Sequence, residues 1–456
     1  MSLFVCDQFS GKWEPGTGYD GSNGGGNEGW RRQMSGDETI FTWGAPPLKF
    51  GWGASDEIGF DLGQYGAERV MILTDPGLAA TEIPHRIADA IRRYAIAVAV
   101  FDGVRIEPTD KSMEYAIGHA AEHGPWDALV AVGGGSSIDT AKAVNLLTTF
   151  PGELMDYINA PIGRAQVPPG PLKPLFAVPT TAGTGAESTN VCIMDILSMK
   201  VKSGISHWRL RPTMAIIDPA LSMTLPPEVT ASAGMDILCH AAESYTAKWY
   251  ADFDRKTAEQ RVTYCGANPV SDIWSEKAMT LLARSFRRAV HEGDRQSRSD
   301  MMMAATFAGM GFGNAGVHIP HANAYPIAGM VKDFRPTGYP QDEPMVPHGM
   351  SVSLTAPEAF RFSFDAAPDR HLTVARLLAP DADPVSEPAE RLPSVLVDLM
   401  RDIGIPNGIG GVGYTAADVA DLVPGTMKQQ RLLSTCAKTP TEDDIATILT
   451  RSIQNW

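Results

Sequence analysis

An α/β domain built on a parallel sheet, followed by an all-α domain, is the architecture the sequence predicts, and three observations carry it. Four short apolar runs, "RVMILTD" (69–75), "IAVAVFDGV" (96–104), "ALVAVGGGS" (128–136) and "PLFAVPTT" (174–181), suit strands buried on both faces. Between the first three lie "PHRIADAIRRYA" and "SMEYAIGHAAEHG", whose apolar residues recur at three and four, the spacing of crossover helices. After "IDPALSMTLPPEV" (217–229) the strand pattern stops. The remaining apolar segments, from "VTASAGMDILCHAAESYTA" to "EDDIATILTRSIQ", carry helical spacing.

A chain of 456 residues is longer than one hydrophobic core usually organises, which supports two domains. Pro226 and Pro227 make a natural hinge, because neither a strand nor a helix continues through them. The expected division is an α/β domain over 39–225 and a helical domain over 226–456. Before them, "GTGYDGSNGGGNEGW" is glycine-rich and without periodicity, so residues 1–38 read as a flexible or loosely docked tail without chemistry.

The balance is acidic, with 53 Asp and Glu against 38 Lys and Arg and a net charge of −15. Nucleic acid and anionic membrane surfaces are therefore disfavoured as partners. Cys6, Cys192, Cys239, Cys265 and Cys436 stand singly, with no CxxC spacing and an odd total. They read as reduced thiols, not a disulfide framework or a thiolate metal site. The apolar patch at the N-terminus is too short for a signal-peptide core, and no apolar run approaches a membrane span. A cytoplasmic protein is the expectation.

Ligands of open α/β sheets sit at the carboxyl ends of the strands, where "TD", "GGGSS" and "PTT" all fall. In "AVGGGSSIDTAKAV" (131–144), three glycines stand after a strand and before a helix. Such a loop lets backbone approach a phosphate while the helix N-terminus offers amides and a favourable dipole; it also serves simply as a tight connection. The GxGxxG fingerprint is absent. "VPTTAGTGAEST" (178–189) offers hydroxyls either to a nicotinamide or ribose or as caps for the next element. Asp75 in "LTDPGL" could accept from ribose hydroxyls and repel a 2′-phosphate, or form an Asx turn into Pro76. Two polar loops on neighbouring strands weigh towards a nucleotide, and so towards a Rossmann-like dinucleotide-binding domain.

In the helical domain, "AGMDILCHAAESY" sets Asp236 and His240 one turn apart on one helix face. The bland alternative is a surface pair stabilised by its own charge. Against it, the helix is mostly apolar, and buried polar groups need partners. Two histidines supply candidates: His321 in "GNAGVHIPHANAYPIAGM" and His348 in "MVPHGMSVSL". Three imidazoles and a carboxylate suit Fe(II) or Zn(II), and ligand type alone does not choose between them.

Taken in order, "GGGSSIDTAKAV", "PTTAGTGAE", "GMDILCHAAESY", "HANAYPIAGM" and "PHGMSV" resemble the iron-containing, group III alcohol dehydrogenases, over nearly the whole chain from about residue 40. "FDGVRIEPTD", "NPVSDIWSEKAM" and "VGYTAADVADLVPGT" look most like the hydroxyacid-oxoacid transhydrogenase branch, which moves hydride between 4-hydroxybutyrate and a 2-oxo acid through nicotinamide. The resemblance implies metal ligands at Asp236, His240, His321 and His348, and a pyrophosphate loop at Gly133, Gly134, Gly135, Ser136 and Ser137. It also implies a nicotinamide-side loop at Thr180, Thr181 and Thr184, a ribose acid at Asp75, and a lysine near the cofactor at Lys202.

The implied cofactors are NAD and a divalent metal, Fe(II) or alternatively Zn(II). The implied partners are a small alcohol or hydroxy acid and a second copy of the chain, in a homodimer. In many relatives a histidine stands four residues after the third ligand; here it is Tyr325, a proton relay if its pKa were lowered. Lys332 and Arg335 are cations within reach of a substrate carboxylate by sequence, although solvated surface charge is their commoner role. His318 matches no ligand position and is assigned either to supporting the ligands from behind or to packing. The competing readings are an ordinary NAD-dependent dehydrogenase of small primary alcohols, a dehydroquinate-synthase-like lyase, whose ligands would be a glutamate and two histidines, and a non-catalytic binding protein of this fold.

Overall fold

The four apolar runs assemble side by side in the computed structural model, which describes residues 4–6, 13–15, 37–199, 201–261, 263–382 and 386–456. They become β4 (Arg69–Leu73), β5 (Ala97–Phe101), β6 (Ala128–Gly133) and β7 (Leu175–Pro179), all parallel. Every residue of β6 and β7 is buried, as continuous apolar runs demand. Two further parallel strands, β3 (Leu48–Phe50) and β10 (Met214–Ile217), extend the sheet to the order β3-β10-β7-β6-β4-β5. At three and four residues they are too short to show a period.

Helix α1 (Ile83–Arg92) crosses from β4 to β5 and buries Ile87, Ala88 and Ile91. Helix α2 (Asp110–His123), capped by Thr109 in a reciprocal bond pair with Ser112, returns the chain to β6, on the other side of β4. The strand order therefore reverses between β4 and β6, and a crevice opens beyond their carboxyl ends. Helix α3 (Gly135–Thr149) leaves β6 there. An antiparallel hairpin that the sequence pattern did not reveal, β8 (Val191–Ile196) and β9 (Val201–Ser206), folds beside the sheet and sets Asp195 opposite Lys202.

Pro227 opens α4 (Pro227–Thr246), of whose 20 residues 16 are buried. A helix buried nearly all round is the centre of its domain. Around it pack α5 (Pro269–His291), α6 (Arg295–Ala315) and α8 (His348–Ser353), while α7 (Ile319–Gly329) packs on α8 and meets the central helix through His321 and Glu243. The same core continues to Val191, Ala215 and Ile217, so helical and sheet regions share a packed interface.

The glycine-rich stretch of the expected tail lies outside the described residues. Within 1–38, β1 (Phe4–Cys6) and β2 (Trp13–Pro15) pair antiparallel. Glu38 is not loose: its backbone donates to Phe253, and its carboxylate accepts from the Lys256 amide and the Arg261 guanidinium.

Candidate active site

Three segments of the helical domain converge on one carboxylate oxygen. Oδ1 of Asp236 stands 3.6 Å from Nε2 of His240, 3.5 Å from Nε2 of His321 and 3.8 Å from Nε2 of His348. These gaps are too long for strong hydrogen bonds. They match the separation of donors around one ion, since ligands at about 2.1 Å in a tetrahedron stand roughly 3.4 Å apart. Asp236 Oδ1 and His321 Nε2 are both buried without a hydrogen-bond partner, which is costly unless something bridges them. Asp236, His321 and His348 form a group whose ligand atoms all lie within 4.8 Å of one another; His240 shares the Asp236 oxygen but falls outside that group. The donor set fits a divalent cation.

Local packing explains the convergence. The His240 ring is stacked between Phe312, at 3.8 Å, and His321, at 4.5 Å. Gly349 lets α8 lie directly on α4: a Cβ there would come within 2.0 Å of the Ser232 carbonyl oxygen. His348, its neighbour, is thereby brought to Asp236. Burial alone would raise the Asp236 carboxyl, but the surrounding imidazoles outweigh it and hold the group well below the usual carboxylate range. Burial lowers His240 to about 3. It works the same way on His321, but the carboxylates of Glu243 and Asp236 prevail and raise that ring to about 9. A cation on Nε2 would take the place of that proton.

Glu243, which sequence reasoning missed, sits behind the cluster. It is fully buried; Oε1 pairs with His321 Nδ1 at 2.6 Å, and Oε2 accepts the His318 amide at 2.6 Å. The signal was available, because Asp236, His240 and Glu243 recur at four and three on one helix face. His318 is the residue just before α7; its Nε2 meets Thr246 Oγ1 at 3.0 Å, and its ring packs edge-on against Phe360.

A cavity of 510 Å³ runs from the β4–β6 crevice to the helical domain. Asp75, Gly134, Gly135, Ser136, Ser137, Thr180, Thr181 and Thr184 line one wall; Asp236, Tyr339 and His348 line the other. Gly133 turns the chain behind the loop with φ +151°, and a Cβ on it would lie 2.3 Å from Ser137 Oγ. Ser137 Oγ is buried without a partner at the N-terminal turn of α3, where a phosphate oxygen is favoured. Asp75 does cap the one-turn helix Pro76–Ala79, accepting from Leu78 at 3.0 Å, and it lines the cavity as well. Thr184 likewise accepts from Ala186 at 3.3 Å. The residues present fit a dinucleotide.

A smaller cavity of 120 Å³ also reaches Asp236, His240, His321 and His348; it is bordered by Glu107, Lys202, Phe312 and Tyr325 and shares Gly135, Ser136 and Thr184 with the larger one. Lys202 lines this space and not the one that Asp75 lines. Its ammonium is bound by Glu107 and lies 3.7 Å from Asp195. Burial would lower its pKa, but those two carboxylates hold it well above the ordinary lysine value. Glu107, also missed, has a left-handed backbone, φ +53°, directly before Pro108, an uncommon strain for a non-glycine residue.

Tyr325, Lys332 and Arg335 complete the residues singled out in the sequence. Burial pushes the Tyr325 phenol up to about 12, so the lowered pKa that a relay would need is not present. Lys332 is engaged by Asp418 at 2.7 Å, and Arg335 donates to backbone carbonyls of Gln341 and Asp333; both are exposed and lie outside the two cavities, as solvated surface charge does.

Comparison with known proteins agrees with this geometry. Residues 46–219 match the model of the iron-containing alcohol dehydrogenase domain, and residues 230–453 match that of the family's C-terminal domain. The mitochondrial hydroxyacid-oxoacid transhydrogenase of Bos taurus is 41% identical over 422 residues, covering 91% of this chain and 90% of the bovine protein. The Homo sapiens protein is 41% identical over 415 residues, covering 89% and 88%. Among solved structures, a 1,3-propanediol oxidoreductase superposes with a TM-score of 0.78 at 28% identity, and an alcohol dehydrogenase from Oenococcus oeni with 0.79 at 26%; each alignment covers 91% of this chain and all of the other.

The mitochondrial relatives overturn the expectation of a cytoplasmic protein. Scattered thiols report a reducing environment, which is not one compartment. Among the described residues no helix is long and apolar enough to cross a membrane. Matched over both of its domains and at 41% identity to proteins of nearly the same extent, the chain belongs to the iron-containing alcohol dehydrogenase family.

Proposed function

We propose that the protein is a hydroxyacid-oxoacid transhydrogenase that oxidises a hydroxy acid of the 4-hydroxybutyrate kind and passes the hydride, through a bound nicotinamide, to a 2-oxo acid. The observation that carries this is that Asp236 and His348 line both the nucleotide-sized cavity and the smaller one, so that cofactor and substrate meet at the same donors. The bovine relative's name and its 41% identity support the branch.

In this reading Asp236, His240, His321 and His348 hold the metal, Fe(II) or alternatively Zn(II), both suited to a nitrogen-rich donor set. Such an ion supplies a Lewis acid that eases loss of a hydroxyl proton and polarises a carbonyl. Gly133, Gly134, Gly135, Ser136 and Ser137 cradle the pyrophosphate; Thr180, Thr181 and Thr184 orient the nicotinamide. Asp75 accepts from the ribose and repels a 2′-phosphate, which favours NAD over NADP. A bound nicotinamide would supply the hydride acceptor for oxidation of the first acid, whose hydroxyl proton departs. The second acid takes back both, so nucleotide and proton are restored in each cycle. The domains are the sheet unit to residue 225 and the helical unit from 226, and the assembly is a homodimer.

An ordinary dehydrogenase of small primary alcohols is the second reading, favoured by the apolar Val191, Ile193, Phe312 and Val317 around the small cavity. Incubating the purified metal-loaded protein with 4-hydroxybutyrate and 2-oxoglutarate, with and without added NAD+, separates the two. Conversion of both acids supports transhydrogenation; NADH formed only from simple alcohols favours the second reading.

A further inference from the structure

We infer that Lys202 is the receptor for the carboxylate of the substrate acid, with Glu107 occupying that receptor when no acid is bound. The inference rests on the hydroxy-acid reading above and specifies how the same site would tell an acid from an alcohol.

A hydroxy acid bound by its hydroxyl at the Asp236 cluster leaves a carboxylate in a confined space, and a buried carboxylate requires a cation or several donors. Among the described residues that line the smaller cavity, Lys202 is the only lysine or arginine. The cavity's other acids are accounted for: Asp236 faces the histidines, and Asp139 is paired with the fully buried Lys142 at 3.2 Å and accepts the Ile193 amide. The Lys202 side chain is 9% exposed and is set by the β8–β9 register, while its carbonyl accepts from Gln429 at 3.4 Å.

An ammonium has three donors. Glu107 takes one, and Asp195, at 3.7 Å, is beyond hydrogen-bond distance. Donor capacity therefore remains for a further oxygen. Glu107 itself demonstrates that a carboxylate fits against this nitrogen. It is held there by a strained backbone whose amide donates to Ser136 Oγ at 3.2 Å, and its side chain is 37% exposed, so it has room to yield. Beyond the pair, a third cavity of 460 Å³ shares Glu107 and Lys202 and includes Arg105, which gives space for the far end of a longer acid.

The test compares kcat/KM for 4-hydroxybutyrate and for 1-butanol at saturating NAD+, and KM for NAD+ at saturating acid, with the metal-loaded protein in wild type, Lys202→Met, Lys202→Arg and Glu107→Gln. For Lys202→Met the acid-to-alcohol ratio is expected to fall by about tenfold or more, through KM for the acid and without a rise in KM for NAD+. Lys202→Arg restores part of the ratio. Glu107→Gln, which weakens the competing carboxylate, lowers KM for the acid. The opposite signs of the two substitutions distinguish a receptor from a structural ion pair, and Lys202→Arg with Glu107→Gln still decides the matter if Lys202→Met fails to fold. Equal losses on acid and alcohol, a raised KM for NAD+, or a raised acid KM in Glu107→Gln would overturn the inference while leaving the hydroxy-acid reading intact. A wild type that oxidises butanol and no hydroxy acid would overturn that reading, and the inference with it.

Discussion

Glu243 Oε1 meets His321 Nδ1 at 2.6 Å, which directs the opposite ring nitrogen at Asp236. A carboxylate behind a ligating imidazole fixes its tautomer and raises its basicity. Glu243→Gln keeps the shape and one hydrogen bond but loses the charge. Metal affinity, measured by competition with a chelator, should fall by about 10- to 100-fold. Unchanged affinity would mean that Glu243 only fills space.

The two histidines of α7's first turn and its cap have different duties. His321→Ala removes a donor from the convergent cluster, so purified protein should lose its metal by elemental analysis. His318→Ala should keep the metal and lose stability, by about 2 kcal/mol in denaturant unfolding, because Thr246 Oγ1 loses a buried partner. Metal retained in His321→Ala would contradict the ligand assignment.

Burial lowers His318 to about 4 from an ordinary value of 6.5. Above pH 6.5 the ring is neutral in both folded and unfolded protein, and its contribution is complete. As pH falls from 6.5 to about 4 the unfolded chain gains a proton that the folded one refuses, so stability declines by up to about 3 kcal/mol. His318→Gln should flatten that part of the stability profile. An equally steep profile would assign the loss to other groups.

Asp75 combines two roles that a pair of substitutions can separate. Asp75→Ser retains a capping oxygen for Leu78 but removes the charge, and should move the NADP+ to NAD+ ratio of kcat/KM upward by about tenfold. Asp75→Ala should add a stability loss of about 1 kcal/mol from the missing cap. No change in nucleotide preference for either would leave Asp75 a cap alone.

Much of the site could be read from local pattern. Asp236 and His240 announce themselves by one helical turn in an apolar helix, and the glycine and threonine loops by following buried strands. What remained hidden depends on contacts between distant segments. The β8–β9 hairpin is invisible to alternation because "ILSMKVKSG" mixes charge with apolar residues, and its fold-back carries Lys202 to the cavity that Asp236, His348 and the glycine-loop residues Gly135 and Ser136 also line. Glu107 meets Lys202 across 95 residues, a pairing no spacing rule predicts. Tyr325 is distinctive by its position in sequence, yet only the folded chain shows that burial pushes its phenol up to about 12.

The central claim is that one nucleotide at one site carries the hydride between two acids, and isotope transfer tests it most directly. With 4-hydroxybutyrate deuterated at C4 and 2-oxoglutarate as acceptor, the account predicts deuterium at C2 of the 2-hydroxyglutarate formed, read by mass spectrometry. Product formed without deuterium, or no product while 1-butanol is still oxidised, would contradict it.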